Sequence, residues 1–169
     1  LLPLPQGYLS TKQNRIVYFH EGSMAAVAVS QDNLGNKHLS VNNHYIMGGT
    51  ASRFSDHRQT HLPFLLHGNP SKALYLGLGT GITMDAAQYY PNTQVTGVEL
   101  IPELIPLLGE FDVQTQSSDW QTPPRLLSAD ARRFMLASKE QFDVIIAEIF
   151  HPSRDGAGAL YTVEHYQQM

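Results

Sequence analysis

The apolar run Ala73-Leu74-Tyr75-Leu76 passes directly into Gly77-Leu78-Gly79-Thr80-Gly81, and a helical pattern begins near Ile82. Few folds accommodate that passage. A buried strand that ends in closely spaced glycines and re-enters a helix is the strand–turn–helix of an open α/β sheet, where glycines let backbone approach a ligand. Roughly 20 residues further on, a second strand pattern, Gln94-Val95-Thr96-Gly97-Val98, ends in Glu99. An acid at that strand end suits the two hydroxyls of a ribose; the alternative is a tight turn followed by a solvated glutamate. Two features then separate dinucleotides from S-adenosyl compounds. The glycines run GLGTG rather than GxGxxG, and the third strand, Arg125-Leu126-Leu127, closes on Ser128-Ala129-Asp130-Ala131, with an acid able to accept from an adenine amine. Both favour an S-adenosyl ligand over NAD. The candidate cofactor-binding residues are therefore Gly77, Gly79, Thr80, Gly81, Glu99, Asp130 and Ala131.

The rest of the chain falls into two zones. From Arg15 to about Met47, β-rich runs are separated by Glu21-Gly22-Ser23, by Asp32-Asn33-Leu34-Gly35-Asn36 and by Asn42-Asn43. Three turns joining short runs predict a small antiparallel sheet, too small to be stable without packing on the α/β portion of the chain. From Ser55 the rhythm alternates helix and strand. A helix is expected over Ser55–His67, bent or broken at Pro63, a second from Ile82 to Pro91, a Pro-rich third around Leu104, and a fourth from Ala131 to Ser138. The fourth strand is Phe142-Asp143-Val144-Ile145-Ile146-Ala147-Glu148, and a last helix begins near Tyr161. Such alternation implies a parallel sheet covered on both faces. The expected fold class is α/β: a small N-terminal antiparallel β-sheet over residues 1–53, then a Rossmann-like, methyltransferase-type S-adenosyl-binding domain over 54–169. That domain is expected to be truncated at its C-terminus, since the fourth strand would otherwise be an exposed apolar edge.

Composition narrows the function classes. In 169 residues, 42% are hydrophobic and 15% charged, which fits a globular chain and argues against disorder. A net charge of −4 offers no basic footprint, so no nucleic-acid partner is expected. The absence of cysteine excludes disulfides, thiolate metal sites and a cysteine nucleophile. No apolar run is long enough to span a membrane. Leu1-Leu2-Pro3-Leu4-Pro5 lacks the basic flank of a signal peptide and reads as a cut inside a longer, cytoplasmic chain, with Leu1–Gln6 a candidate exit from a membrane segment.

A second chemical signal lies just past the fourth strand, in Ala147-Glu148-Ile149-Phe150-His151-Pro152. The C-terminal edge of an open parallel sheet faces the ligand crevice. Glu148 is the candidate catalytic base for deprotonating an attacking amine and His151 a second base or orienting donor, against the alternative of a helix cap and a polar loop residue. Arg154-Asp155-Gly156-Ala157-Gly158-Ala159 reads as a flexible lid. Polar Gly109–Pro124 reads as a loop, with Trp120, the only tryptophan, a surface anchor rather than a cover for adenine. His57 and His61 stand four apart on a helix, a metal-ligand spacing, but with no third ligand evident they read as helix-surface histidines, and no metal is expected. Tyr89-Tyr90, before Pro91, reads as packing.

Val98-Glu99-Leu100, Ser128-Ala129-Asp130-Ala131-Arg132, Asp143-Val144-Ile145-Ile146 and Gly158-Ala159-Leu160-Tyr161-Thr162, with His61-Leu62-Pro63 upstream, resemble the spermidine synthase (polyamine aminopropyltransferase) family. The resemblance covers nearly the whole chain and is nearest to the bacterial spermidine synthase-like branch, some of whose members are fused to membrane segments. It implies transfer of an aminopropyl group from decarboxylated S-adenosylmethionine to an amine acceptor such as putrescine, with Gly77, Gly79 and Gly81 lining the nucleoside turn, Glu99 on the ribose and Asp130 on adenine. It also implies a homodimer and a membrane-attached remainder. The sequence departs from the family at Thr80, where the turn carries an Asp. It departs again at Glu148-x-x-His151 in place of Asp-x-x-Asp, at Ser55-Asp56 in place of Tyr-His, and at Ile46 in place of Gln. A methyltransferase using intact S-adenosylmethionine is the alternative enzyme, favoured by loss of a carboxylate at Thr80. A non-catalytic nucleoside-binding domain of a larger membrane-attached protein is the alternative from another class.

Overall fold

The computed structural model describes residues 14–43, 45–147 and 161–167. Four antiparallel strands come first: β1 (Asn14–Glu21), β2 (Ala26–Asp32), β3 (Lys37–Val41) and β4 (Tyr45–Gly49), in spatial order β1-β2-β3-β4. The expected turns connect them. In the first, Gly22 N donates to Ala25 O. In the second, the Asp32 carboxylate accepts from the backbone N–H groups of Leu34 and Asn36. In the third, Asn42 and Asn43 take φ of 52° and 56°, the left-handed region that asparagine tolerates better than most residues.

A 15-residue helix, α1 (Arg53–His67), leads out of this sheet. Pro63 neither breaks nor ends it. A proline removes one helical hydrogen bond, and buried Thr60 and Phe64 hold the inward face on either side. The second sheet is parallel, with strands β5 (Lys72–Leu76), β6 (Gln94–Glu99), β7 (Arg125–Ser128) and β8 (Val144–Ala147) in order β7-β6-β5-β8. This order places the sheet's first strand, β5, internally, and the strand order reverses beside it while all strands stay parallel, the open α/β arrangement whose crevice lies at the carboxyl ends of the strands. Among the described residues β8 pairs with β5 alone and forms that edge of the sheet. Asp143 anchors its start, accepting from the N–H groups of Ser71 and Lys72 at 2.7 and 2.9 Å; those bonds hold its carboxyl below the usual carboxylate range.

Two predicted helices differ in kind. The one from Ile82 is a single α-turn, α2 (Ile82–Asp85), that tightens into a 3-10 turn over Ala86–Tyr89. Tyr90, before Pro91, has left the helical region with φ −121° and ψ 75°, in keeping with the bias against αR before a proline. The Pro-rich segment is a 3-10 helix over Pro102–Phe111; Pro106 offers no N–H to an α-helical ladder. Beyond it, α3 (Ala131–Ala137) follows β7, and α4 (Val163–Tyr166) starts at a Thr162 cap.

One core joins the two sheets. Val27, Val29, Leu39 and Val41 of the first sheet pack in the same cluster as Phe64 of α1 and Ala73 and Tyr75 of β5. Burial of that shared surface is what stabilises a four-stranded sheet that would be marginal alone. The segment expected as a polar surface loop also contributes. Phe111, Val113 and Trp120 are all buried in this core, so Trp120 is an interior side chain and not a surface anchor. Its periodic signal was hidden because single apolar residues separated by polar ones carry no helical or strand repeat.

Candidate nucleoside site

The glycine turn sits at the carboxyl end of β5, and its shape is set by three left-handed residues. Gly77, Gly79 and Gly81 have φ of 83°, 52° and 76°. At Gly81 a Cβ would also lie 2.6 Å from Leu108 Cδ2 and 3.5 Å from Val113 Cγ1, so glycine is required both by conformation and by space. Gly77 N donates to Val98 O and Gly81 N to Leu78 O, which fold the chain back toward β6.

Glu99 organises this turn. The residue is 4% exposed, and its carboxylate accepts three backbone hydrogen bonds: Oε2 from Leu78 N at 2.8 Å and Gly79 N at 3.3 Å, Oε1 from Ile101 N at 2.9 Å. It is not a solvated glutamate. A carboxylate offers about four acceptor positions, so three backbone donors leave one on Oε1. The sequence placed Glu99 beside the turn; that it ties the turn's own N–H groups was not legible, because spacing does not tell which donors a buried acid finds.

Thr80 is buried, with Oγ1 accepting from Ile82 N at 3.4 Å. The N-terminal sheet reaches this point. Gly48 of β4 has φ of 98°, and a Cβ there would meet Thr80 Cγ2 at 3.5 Å; a Cβ on Gly79 would meet Met47 O at 3.6 Å. β4 is thus one wall of the turn, a role that no sequence pattern announced.

Asp130 lies at the end of β7, beside the same sheet edge. It is exposed and caps α3, its Oδ1 accepting from Arg133 N at 3.0 Å, with Ala131 as the first helical residue. Cap and candidate adenine acceptor are compatible, since capping uses one carboxylate oxygen. The candidate catalytic residues Glu148 and His151, and the lid Arg154–Ala159, lie outside the described residues. The strand leading to them is placed: Ala147 pairs with Leu76, so β8 ends level with the start of the glycine turn.

Behind the turn, α1 and α2 enclose charged groups that the sequence reading missed. Asp85, buried on α2, faces Arg53 Nη1 at 3.6 Å and His57 Nε2 at 3.8 Å. Burial pushes its carboxyl up, against the pull of Arg53. The available signal was one carboxylate inside the apolar stretch Ile82–Ala87. His57 is mostly enclosed rather than on the helix surface, and burial pushes its imidazole down. His61 is half-buried, with Nδ1 2.9 Å from Tyr90 Oη. Tyr90 packs on Phe64, as expected of it, while Tyr89 is 64% exposed. Among the described residues no group of three acidic or histidine side chains is placed to hold a metal, and no helix is long and apolar enough to cross a membrane.

Sheet order, glycine turn and acidic strand end define a Rossmann-like, methyltransferase-type α/β fold behind a small antiparallel sheet. No family model matches the sequence. The chain is 27% identical over 112 residues to polyamine aminopropyltransferase 2 of Aquifex aeolicus, covering 64% of this chain and 23% of that one. It is 24% identical over 164 residues to the polyamine aminopropyltransferase of Thermotoga neapolitana, covering 94% of this chain and 54% of the relative. In structure it matches a spermidine synthase in complex with the transition-state analogue AdoDATO, with a TM-score of 0.76 at 23% identity over 91% of this chain and 53% of the other. The spermidine synthase of Thermotoga maritima gives a TM-score of 0.74 at 22% identity, over 91% and 52%. These relatives and neighbours share the spermidine synthase (polyamine aminopropyltransferase) family, the one whose motifs the sequence resembles. The chain spans about half the length of the Thermotoga neapolitana relative and less than a quarter of the Aquifex aeolicus one.

Proposed function

We propose that the chain binds an S-adenosyl donor at the glycine turn and takes part in aminopropyl transfer to an amine. The observation that carries this reading is the Glu99 carboxylate, which holds Leu78 N and Gly79 N while keeping one acceptor position on Oε1. A ribose hydroxyl donates there, and Asp130, whose Oδ1 alone is engaged by its helix cap, accepts from the adenine amine. The family resemblance of sequence and fold supports the reading, and AdoDATO on a structural neighbour supports a decarboxylated donor.

The chemistry asks for position and one proton acceptor. A neutral amine attacks the carbon beside the sulfonium; the C–N bond forms, the C–S bond breaks, and sulfur leaves as the neutral thioether of methylthioadenosine. The new ammonium then yields its proton to a base. Glu148 is that base and His151 its orienting partner. β8 supports this assignment by ending level with the glycine turn. No metal is required for the step. A diamine such as putrescine is the acceptor.

Calorimetric titration with S-adenosylmethionine, its decarboxylated form and methylthioadenosine tests the donor. Tighter binding of the decarboxylated compound is expected. Preference for the intact donor would move the assignment to methyl transfer, and binding of none would leave a scaffold. Glu148→Gln is expected to abolish turnover with an amine acceptor while keeping donor affinity; full turnover in that variant would remove Glu148 as the base.

A further inference from the structure

We propose that Arg53 is a positioning residue for the glycine turn, acting through the buried Asp85 carboxylate and the Phe111 carbonyl; the inference rests on the reading of that turn as the nucleoside site. Arg53 is the first residue of α1 and lies behind the turn. One guanidinium nitrogen faces Asp85 Oδ2 at 3.6 Å; the other donates to Phe111 O at 2.6 Å and faces Asp112 Oδ2 at 3.6 Å. Each contact leads to the turn by one further step. Asp85 N donates to Gly81 O at 2.9 Å, closing the first turn of α2 on the last glycine. Phe111 ends the 3-10 helix that carries Leu108, the side chain against which Gly81 is packed. A planar fork spans these two elements where a point charge would serve only one.

The charge on Asp85 is the variable part. It is faced by Arg53 and His57 from α1, and Asp112 and Asp119 from the loop beyond the 3-10 helix raise its proton affinity, as burial does; Gln88 lies on its own turn. His57 is in turn faced by Arg53, His61 and Asp56. Of the groups facing this carboxylate, Arg53 alone keeps a positive charge at every working pH, so it opposes the rise in proton affinity that burial and the neighbouring acids cause. Without it, Asp85 either stands as an unpaired buried anion beside Gly81 or takes up a proton, and the turn's geometry changes with its titration.

Methylthioadenosine affinity between pH 6 and 8, measured on the full chain for the wild type, Arg53→Met, Arg53→Lys and Arg53→Met/Asp85→Asn, tests this. Arg53→Met is expected to lose about tenfold at pH 8 and to recover as the pH falls, because Asp85 then takes a proton. The double variant, with no buried charge to neutralise, is expected to return to within about threefold at every pH. Arg53→Lys keeps the charge and is expected to show the flat pH profile of the wild type with a smaller loss. If the double variant binds no better than Arg53→Met, and the pH profile of Arg53→Met runs parallel to the wild type, the coupling through Asp85 is wrong. The amide resonances of Gly79 and Gly81 without ligand keep this separate from the site assignment. Should the wild type bind no adenosyl ligand, a shift of those amides in Arg53→Met and its reversal in the double variant still support the inference, and unmoved amides overturn it.

Discussion

Replacing Glu99 by Gln exchanges one heavy atom and removes one charge, yet the structure assigns it a large cost. The wild-type carboxylate accepts from Leu78 N, Gly79 N and Ile101 N in a site that is 4% exposed. Hydrogen bonds to a charged acceptor contribute about 1.5–3 kcal/mol each, roughly twice a neutral bond. A glutamine keeps its carbonyl toward only one side. Turned to Leu78 and Gly79, it presents its amide N–H₂ to Ile101 N, so one bond becomes a donor–donor clash and two are weakened. The sum is a loss of about 2–4 kcal/mol, or a fall in Tm of about 5–15 °C for a chain of this size. Urea denaturation followed through Trp120 measures it, since the single tryptophan is buried and reports the core. Methylthioadenosine binding is expected to vanish with the turn's geometry. A stability loss below about 0.5 kcal/mol, the range of an ordinary surface substitution, would show that Glu99 does not hold the turn.

Gly81→Ala combines a φ of 76° with a Cβ 2.6 Å from Leu108 Cδ2, and is expected to cost about 2–4 kcal/mol, part of which Leu108→Ala returns in a double-mutant cycle. Asp130→Asn preserves the α3 cap, because asparagine caps as well as aspartate; its denaturation midpoint is expected to stay within about 0.5 kcal/mol of wild type while adenosyl affinity falls, as isothermal titration will show. Stability is expected to drop in mild acid through His57 and His165. Burial, their largest influence, pushes both imidazoles below 6.5 in the folded chain, so the unfolded chain binds the proton first and stability falls as pH decreases through about 6.5. His165→Phe should flatten that slope in urea titrations between pH 7 and 5, and an unchanged slope would locate the acid sensitivity elsewhere.

What the sequence exposed and what it hid divide along one physical line. Strands β5, β6 and β7, the glycine turn and the acids at Glu99 and Asp130 were legible because each is a local pattern: an apolar run, a left-handed turn that only glycine fills easily, an acid at a strand end. The hairpin turns at Asp32 and Asn42-Asn43 were legible for the same reason, since those side chains hydrogen-bond their own backbone or tolerate positive φ. What stayed hidden is what depends on partners distant in the chain. Trp120 looked like a surface residue because its neighbours are polar, although it packs in the core with Phe111 and Val113. Asp85 meets Arg53 only through the packing of α1 on α2, 32 positions away by their numbers, and Gly48 meets Thr80 only because β4 crosses the turn.

That division also bears on where this chain is expected to differ from the relatives it resembles. The proposed nucleoside half of the site is built from local patterns and from a carboxylate whose three bonds are to backbone, so its geometry leans little on the side chains around it. The half that would receive a cationic amine depends on side chains, and it is there that Thr80 and Glu148-x-x-His151 depart from the family's acids. Thr80 cannot simply be restored. Its side chain is buried against Gly48, and Thr80→Asp would place a carboxylate where the hydroxyl now accepts from Ile82 N. With that N–H as partner, and with space enough to lean past a glycine that has no Cβ, the aspartate is expected to be tolerated at a cost of about 1–2 kcal/mol. If the turn faces the donor's aminopropyl ammonium, Thr80→Asp should tighten the decarboxylated donor about tenfold relative to S-adenosylmethionine, whose own carboxylate it repels. Equal effects on the two donors would mean that Thr80 lies outside reach of the transferred group, and the glycine turn would then hold the nucleoside alone.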